Sequence, residues 1–431
     1  MTATHTPERE ARSAAALLAD PTFGSFFGAR LVTSIGIWLH GVVAAIAAFD
    51  ATRSAVAVGV VSAVQFLPQL ALAPISGKWA DRGDVKRQML LGRAISAAGS
   101  LALAVWFLAA PDATGWTSAS AIAAASLIVG MGLVVGGPAM QSAVPLLVTR
   151  EELPAAMALN AAPITIGRIA GPAVGAITAA GLGYEWAFMF AVIAHLLFLA
   201  LVGWISFPTP EGRREGDTFS VREAVAYVRH DRPTLLVLVG VTALGLGSEP
   251  TVTLAPPLAA ALGGGASTVG GLTASMGIGA AIGVVVTATL GGRVRHEVTS
   301  TLGMLLMAVG MAACAAPIGT AASMACFGLT GFGFIVSVSS LSTLMQLRLP
   351  AVLRGRVMAL WLMGFVGSRP IGALAVGAVA DSWDVRASFA CVAVAMLVAA
   401  WVCRPSRLTG TPVVDSEVDT PSGSVNPALP D

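Results

Sequence analysis

Charge is what this sequence has least of. Asp, Glu, Lys and Arg make up 11% of its 431 residues, where soluble domains carry about 25%. Hydrophobic types reach 56%, and the mean hydropathy is +0.81. No soluble fold of this length could hide so much apolar surface in one core, so the soluble globular class is excluded. The formal net charge of +2 is too small to draw nucleic acid to the surface, and no such partner is expected. Cysteine is scarce too. Cys314, Cys326, Cys391 and Cys403 all fall inside apolar runs without metal-ligand spacing. They read as buried neutral thiols, with no disulfide framework and no metal site. No Gly-Lys-Ser or Gly-Lys-Thr phosphate loop occurs, which argues against an ATP-driven pump. Ser, His and Asp are too scattered for a hydrolase site. No catalytic residue, cofactor or enzymatic activity is expected. Residues 1–20 are polar, with no apolar stretch ahead of a cleavage site, so no cleaved signal peptide is read there.

What the chain has in quantity is long apolar runs. A membrane span needs about 20 mainly apolar residues. Twelve candidates occur, at residues 23–49, 55–76, 89–110, 118–148, 157–182, 186–207, 234–262, 268–290, 299–318, 321–347, 357–380 and 385–402. Gly136-Gly137-Pro138 is expected to break the fourth near a membrane surface. Lys and Arg sort by connection. One alternate set of connections holds Arg9, Arg12, Lys78, Arg82, Lys86, Arg87, Arg150, Arg213, Arg214, Arg293, Arg295, Arg354, Arg356 and Arg404, among others. The opposite set holds only Arg53 and Arg386. By the positive-inside rule both termini are expected in the cytoplasm, which demands an even number of spans. The expected setting is a bacterial cytoplasmic membrane. The longest connection, residues 208–232, opens on a Pro-rich breaker cluster. It then places Val221, Val225 and Val228 on one helical face. It divides the chain into a cytoplasmic segment 1–22, a six-span bundle 23–207, the linker with a short surface helix, a second bundle 233–404, and a disordered tail 405–431.

Between the second and third runs lies Gly77-Lys78-Trp79-Ala80-Asp81-Arg82-Gly83-Asp84-Val85-Lys86-Arg87. A solvated loop obeying the charge rule accounts for Lys86 and Arg87. It does not account for Asp81 beside Arg82 directly after a Gly-bounded helix end. In Gly77, Asp81, Arg82, Lys86 and Arg87 the stretch resembles the signature of the major facilitator superfamily of secondary transporters. Asp84 stands where that signature usually has Gly. This variant is similar to the enterobactin-exporter-like and macrolide-efflux-like branch, and the resemblance spans about residues 20–405. It implies an all-α membrane protein of twelve helices in two pseudo-symmetric six-helix bundles, working by alternating access. It also implies an inter-bundle gating role for the motif, with Asp81 near Arg354 and Arg356.

The halves look like repeats. Met157-Ala158-Leu159 matches Met358-Ala359-Leu360, Arg168 matches Arg369, and Gly171 matches Gly372, all at an offset of 201. The fifth span carries Arg168, Gly171, Pro172 and Gly175, similar to the Gly-Pro motif of exporters in the superfamily. Gly171 and Gly175, four apart, leave a smooth face for a neighbouring helix. Two features of the branch are missing. The fourth span has no Arg, and Ser34-Ile35-Gly36 is followed by Ile37 where an Asp is usual.

Ionisable residues within the spans are costly and mark cavities or partners. Arg30, His40, Arg168, His195, Glu249 and Arg369 are placed there. Glu249, beside Pro250, lies in a span that the resemblance puts on the central cavity, and the helix is expected to bend or open there. Two readings stand: a proton-coupling carboxylate, or a structural ion pair with Arg or His. His40 is the second coupling candidate, and equally a packing residue. Arg168 and Arg369 either attract an anionic substrate or hold the inter-bundle interface through carbonyl and carboxylate contacts. Further cavity candidates are Trp38, Gln65, Gln69, Met131, Met140, Gln141, Phe334, Met345 and Gln346, a Met- and aromatic-rich set that suits bulky amphipathic molecules. The expected partners are a small-molecule substrate, protons and the lipid bilayer, with the chain a monomer. The expected function is export of a drug, siderophore or secondary metabolite in exchange for protons. Uptake, uniport, and a transport-inactive sensor or partner protein are the alternatives.

Overall fold

The computed structural model describes residues 12–82, 84–208, 221–290, 293–349 and 351–409. Among them there is no strand, and 12 helical segments are long and apolar enough to cross a membrane. The first six are Pro21–Thr52, Ala55–Arg82, Val85–Ala109, Gly115–Leu147, Leu153–Leu182 and Tyr184–Gly203. After the linker helix Val221–His230 comes a seventh span in three pieces, Arg232–Ser248, Pro250–Thr253 and Ala255–Ala261. The eighth to tenth are Ala266–Leu290, His296–Cys314 and Thr320–Arg348. The eleventh is split into Ala351–Gly367 and Arg369–Ser382, and the twelfth is Val385–Val402. Leu108, Ile177, Val285, Val394 and Trp401 are each more than half exposed. Water would not tolerate such a belt of side chains, whereas lipid would.

Each bundle has its own core. In the N-terminal one, Val43, Leu103, Ile122 and Phe188 pack at one level, and Phe23, Phe26, Met89 and Phe198 at another. Met304, Met307, Phe327 and Phe389 anchor the C-terminal core. Four residues of the N-terminal bundle join that core: Val42, Ile46, Ala55 and Ala176. All four lie towards the end opposite the chain termini, here the far end.

Two helix pairs form most of the inter-bundle contact. The second span meets the eleventh, where a Cβ on Gly59 would come 2.5 Å from the Ala373 carbonyl oxygen. The fifth meets the eighth, where a Cβ on Gly270 would come 2.3 Å from that of Ala176. Counting six spans on, the second corresponds to the eighth and the fifth to the eleventh. The two contacts are therefore one contact repeated, which is how parallel repeats meet around an axis along the membrane normal. At the far end Asp381 seals the first pair, accepting hydrogen bonds from the Ala55 and Val56 amides and the Ser54 hydroxyl.

Several expectations are corrected. The fourth span is one unbroken helix with Pro138 and Pro145 inside it. Gln88 of the third span donates to the Val135 carbonyl at 2.9 Å, beside the turn that Pro138 weakens. The segment before the first span is not merely polar: Ala14–Ala19 is helical and Leu17 is fully buried. Arg12 grips Glu152 through Nε at 2.6 Å and Nη2 at 2.9 Å, and Asp20 through Nη1 at 2.8 Å. The hydrogen bond from Arg12 holds the Glu152 carboxyl down at about 2. The same bond pushes the Arg12 guanidinium up. The start of the tail is also ordered. Pro405–Leu408 forms a helical turn, Leu408 is fully buried, and its carbonyl accepts from Arg348 at 2.8 Å. The linker helix sinks Val228 into the C-terminal core instead of resting wholly on the surface. Cys391 is exposed instead of buried.

Candidate functional site

The sequence around Glu249 interrupts the helical hydrogen bonding. Pro250 lacks an amide hydrogen, and the Leu246 carbonyl accepts from the Glu249 amide at 3.4 Å instead, although Glu249 itself keeps helical backbone angles (φ −67°, ψ −34°). The regular helix stops at Ser248 and restarts at Pro250, with Glu249 as the joint. A full turn of helix on either side fixes this joint in the interior, and Glu249 is 0% exposed.

Its partner comes from the eleventh span, which is broken at the matching place. Gly367 ends one helix and Arg369 starts the next. The Nε of Arg369 donates to Glu249 Oε1 in a direct ion pair. The second carboxylate oxygen, Oε2, has no protein partner. Among the described residues this is the one ion pair lying well inside the spans. Arg369 also lies flat on Phe66 of the second span, 3.9 Å from the ring centroid. The guanidinium thus ties a carboxylate of one bundle to an aromatic ring of the other.

Arg168, its repeat partner in the fifth span, is held differently. Its guanidinium sits between Trp38 of the first span, at 4.9 Å, and Phe334 of the tenth, at 5.6 Å. Phe334 continues into Phe365 at 6.0 Å, and Phe365 into Trp361 at 5.2 Å. No carboxylate among the described residues reaches Arg168. The interface through carbonyl and carboxylate contacts thus has its carboxylate at Arg369 only. The cause is the first span, which offers Trp38 where the seventh offers Glu249. Close packing brings Arg168 to that wall. A Cβ on Gly171 would lie 2.6 Å from that of Trp38, and one on Gly175 would lie 3.0 Å from Leu39. Pro172 is buried in an unbroken helix.

Other candidates fall elsewhere. His40 is fully buried inside the N-terminal bundle, bonded to Ser100 at 3.1 Å and edge-on to Phe188. The structure does not bring it to Glu249, and its Nε2 has no hydrogen-bond partner. His195 likewise pairs with Thr33 at 2.9 Å. Met140 and Met345 are core residues, not cavity walls. Gln65 is buried against Gly130 of the fourth span and makes no bridge to the eleventh. Gln69 is half-buried. Gln141 is exposed and accepts from Asn160 at 3.3 Å, and Gln346 is exposed beside Ser342. Arg30 is in the closed core near Phe26, away from the inter-bundle space. Of the hinge motif, the side chains of Gly77, Asp81 and Arg82 lie outside the described residues, as does that of Arg354. Asp84 replaces the usual Gly for a visible reason: its side chain caps the third span through the Arg87 amide at 3.1 Å. Lys86 donates to the Gly203 carbonyl at 2.7 Å. Sequence reasoning missed Phe66 and Arg93. Phe66 carried no signal, but Arg93 stood in an apolar run and could have been flagged as an intramembrane charge.

This geometry, with two broken helices facing each other and six spans repeated, agrees with comparison to known proteins. The profile of the family described as transmembrane secretion effector matches residues 12–429. The chain belongs to that family. Among its curated relatives is the enterobactin exporter EntS of Salmonella choleraesuis (strain SC-B67), 30% identical over 368 residues, or 83% of this chain and 85% of the relative. The same exporter from Escherichia coli O1:K1 / APEC is 28% identical over 369 residues, with the same coverage. Among solved structures, the nucleoside transporter NupG superposes with a TM-score of 0.72 at 15% identity, covering 90% of this chain and 100% of that one. Members of this family are major facilitator transporters and not enzymes. The chain is accordingly a multi-pass membrane transporter with the major facilitator fold.

Proposed function

We propose that the protein exports small amphipathic molecules, of the drug, siderophore or secondary-metabolite kind, from the bacterial cytoplasm in exchange for protons. The observation that carries the reading is the Glu249–Arg369 pair lying on Phe66. Alternating access requires the two bundles to rock against each other. A charge pair that also touches the opposite bundle can couple that motion to protonation. A proton reaching the unpartnered Oε2 of Glu249 would dissolve the ion pair. Arg369 would then be released from Glu249, its partner within the C-terminal bundle, while still resting on Phe66 of the N-terminal one. Substrate leaving and proton arriving at the same joint give exchange.

Arg168 and its row of rings supply the substrate side. Trp38, Phe334, Phe365 and Trp361 offer flat apolar faces, and the uncompensated guanidinium offers a positive charge. Such a wall suits an amphipathic molecule with an aromatic portion and an anionic group. The Arg distribution supports a cytoplasmic location for the termini. With the far end sealed by Asp381, this is the arrangement that takes substrate from inside. The relatives named as enterobactin exporters support export over uptake.

The test is reconstitution in proteoliposomes with an internal pH dye and enterobactin as first substrate. The expected result is substrate movement against its gradient, driven by an imposed pH difference and accompanied by counterflow of protons. Glu249→Gln should abolish the driven movement while leaving downhill exchange. Wild-type pumping by that variant would overturn the coupling role.

A further inference from the structure

We infer that Arg30 and Arg93 form a binding site for a phosphate-class oxyanion inside the N-terminal bundle, separate from the Glu249–Arg369 pair. Arg30 belongs to the first span and Arg93 to the third. Each lies eight or nine residues from the start of its helix at the end bearing the termini, a depth of about 12–14 Å at 1.5 Å per residue. They are 4% and 3% exposed. Both guanidinium groups converge on Met140 of the fourth span. Arg30 Nη1 donates to its carbonyl at 3.2 Å, and Arg93 Nη2 approaches its sulfur at 3.8 Å. Arg30 faces the ring of Phe26 at 5.8 Å, and Arg93 that of Phe198 at 5.7 Å.

These contacts do not balance two buried positive charges. Arginine stays protonated in proteins. Burying an ion without a counter-charge carries a large desolvation penalty. A ring face returns only part of it, and a thioether is a weak acceptor. Nε and Nη1 of Arg93 have no protein partner. No carboxylate among the described residues lies within reach of either arginine. The neighbouring His195 bonds Thr33 through Nδ1 and Gln88 donates its amide to the Val135 carbonyl, and neither side chain is hydrogen-bonded to Arg93. The two like charges also repel. An anion between them removes all three penalties at once. Two planar forks arriving from different helices match a tetrahedral oxyanion, which presents oxygens in several directions. A planar carboxylate would serve one fork well and the other poorly. The chemistry is met by free inorganic phosphate or by the headgroup of an anionic phospholipid.

The test uses the full-length purified protein and its thermal unfolding, in two arms. One titrates inorganic phosphate against chloride at matched ionic strength, in neutral detergent. The other compares nanodiscs of phosphatidylglycerol with nanodiscs of phosphatidylcholine. The expected result is a rise of several degrees in Tm in at least one arm. The responding arm names the source. Arg93→Met should lose the response, while Arg386→Met, at the far end, should keep it. Should Arg93→Met fail to fold, Arg93→Lys keeps the charge without the fork, and its half-saturating concentration should rise about tenfold. The proposal is overturned if neither arm stabilises the wild type. It is equally overturned if the Arg93 variants that fold respond as the wild type does.

Discussion

Asp381 accepts hydrogen bonds from the backbone amides of Ala55 at 2.6 Å and Val56 at 3.1 Å, so a residue of the eleventh span caps the second. The cap crosses from one bundle to the other, and it exists only while the far end is closed. A capping carboxylate is worth about 1 kcal/mol, or roughly a fivefold change in a two-state ratio. Asp381→Ala should therefore shift the protein towards the state open at the far end. Spin labels at Trp116 and Trp383, both exposed there, should report a longer distance in the variant. An unchanged distance distribution would show that the cap does not bias the equilibrium.

Arg369 and Glu249 should behave as a unit in stability as well as in transport. Removing one member of a buried pair typically costs about 3–5 kcal/mol, because the other is left charged and unpaired. Arg369→Met alone should lower Tm markedly. Combining it with Glu249→Gln should restore most of the loss. Additive losses in the double variant would mean that the two side chains contribute independently.

Arg168 should prove dispensable for folding. Its contacts are ring faces, worth about 0.5–2 kcal/mol each, and it has no ion-pair partner among the described residues. Arg168→Gln should leave Tm within a few degrees of wild type and raise KM for anionic amphipathic substrates at least tenfold. Neutral amphipathic substrates should be transported as before. Equal loss for both classes would remove the charge-recognition role.

Glu152 gives a stability test in pH. Its carboxyl is held at about 2 in the fold, against about 4.5 when free, chiefly by the hydrogen bond from Arg12. A lowered carboxyl contributes stability that is complete above the free value and vanishes as pH falls through the folded value. The Tm difference between wild type and Glu152→Gln should thus be constant above about pH 5. It should close between about pH 4.5 and pH 2. A difference that persists at pH 2 would mean that shape, not charge, holds Arg12 to Glu152.

Local patterns were enough for much of this protein. Twelve apolar runs, the sorting of Arg between connections, and Pro250 beside Glu249 follow from hydropathy and backbone chemistry, which act over a few residues. They placed the spans, the two bundles and the break in the seventh helix. The paired positions of Arg168 and Arg369 were legible for the same reason, since a repeat leaves its register in the chain. What those arginines touch was decided by tertiary structure. Arg369 meets Glu249 and Phe66 from spans far apart in sequence, whereas Arg168 meets only rings, because equivalent positions of the first and seventh spans differ in chemistry. Met140 and Met345 looked like cavity residues from their spans, yet helix rotation buried them in bundle cores. The Gly136-Gly137-Pro138 turn looked like a break, yet the helix runs on through it, with Gln88 from another helix bonded to the adjacent Val135 carbonyl. A span's apolar sequence fixes that it crosses the membrane. Which face it turns to lipid, core or cavity is set by its neighbours' shapes.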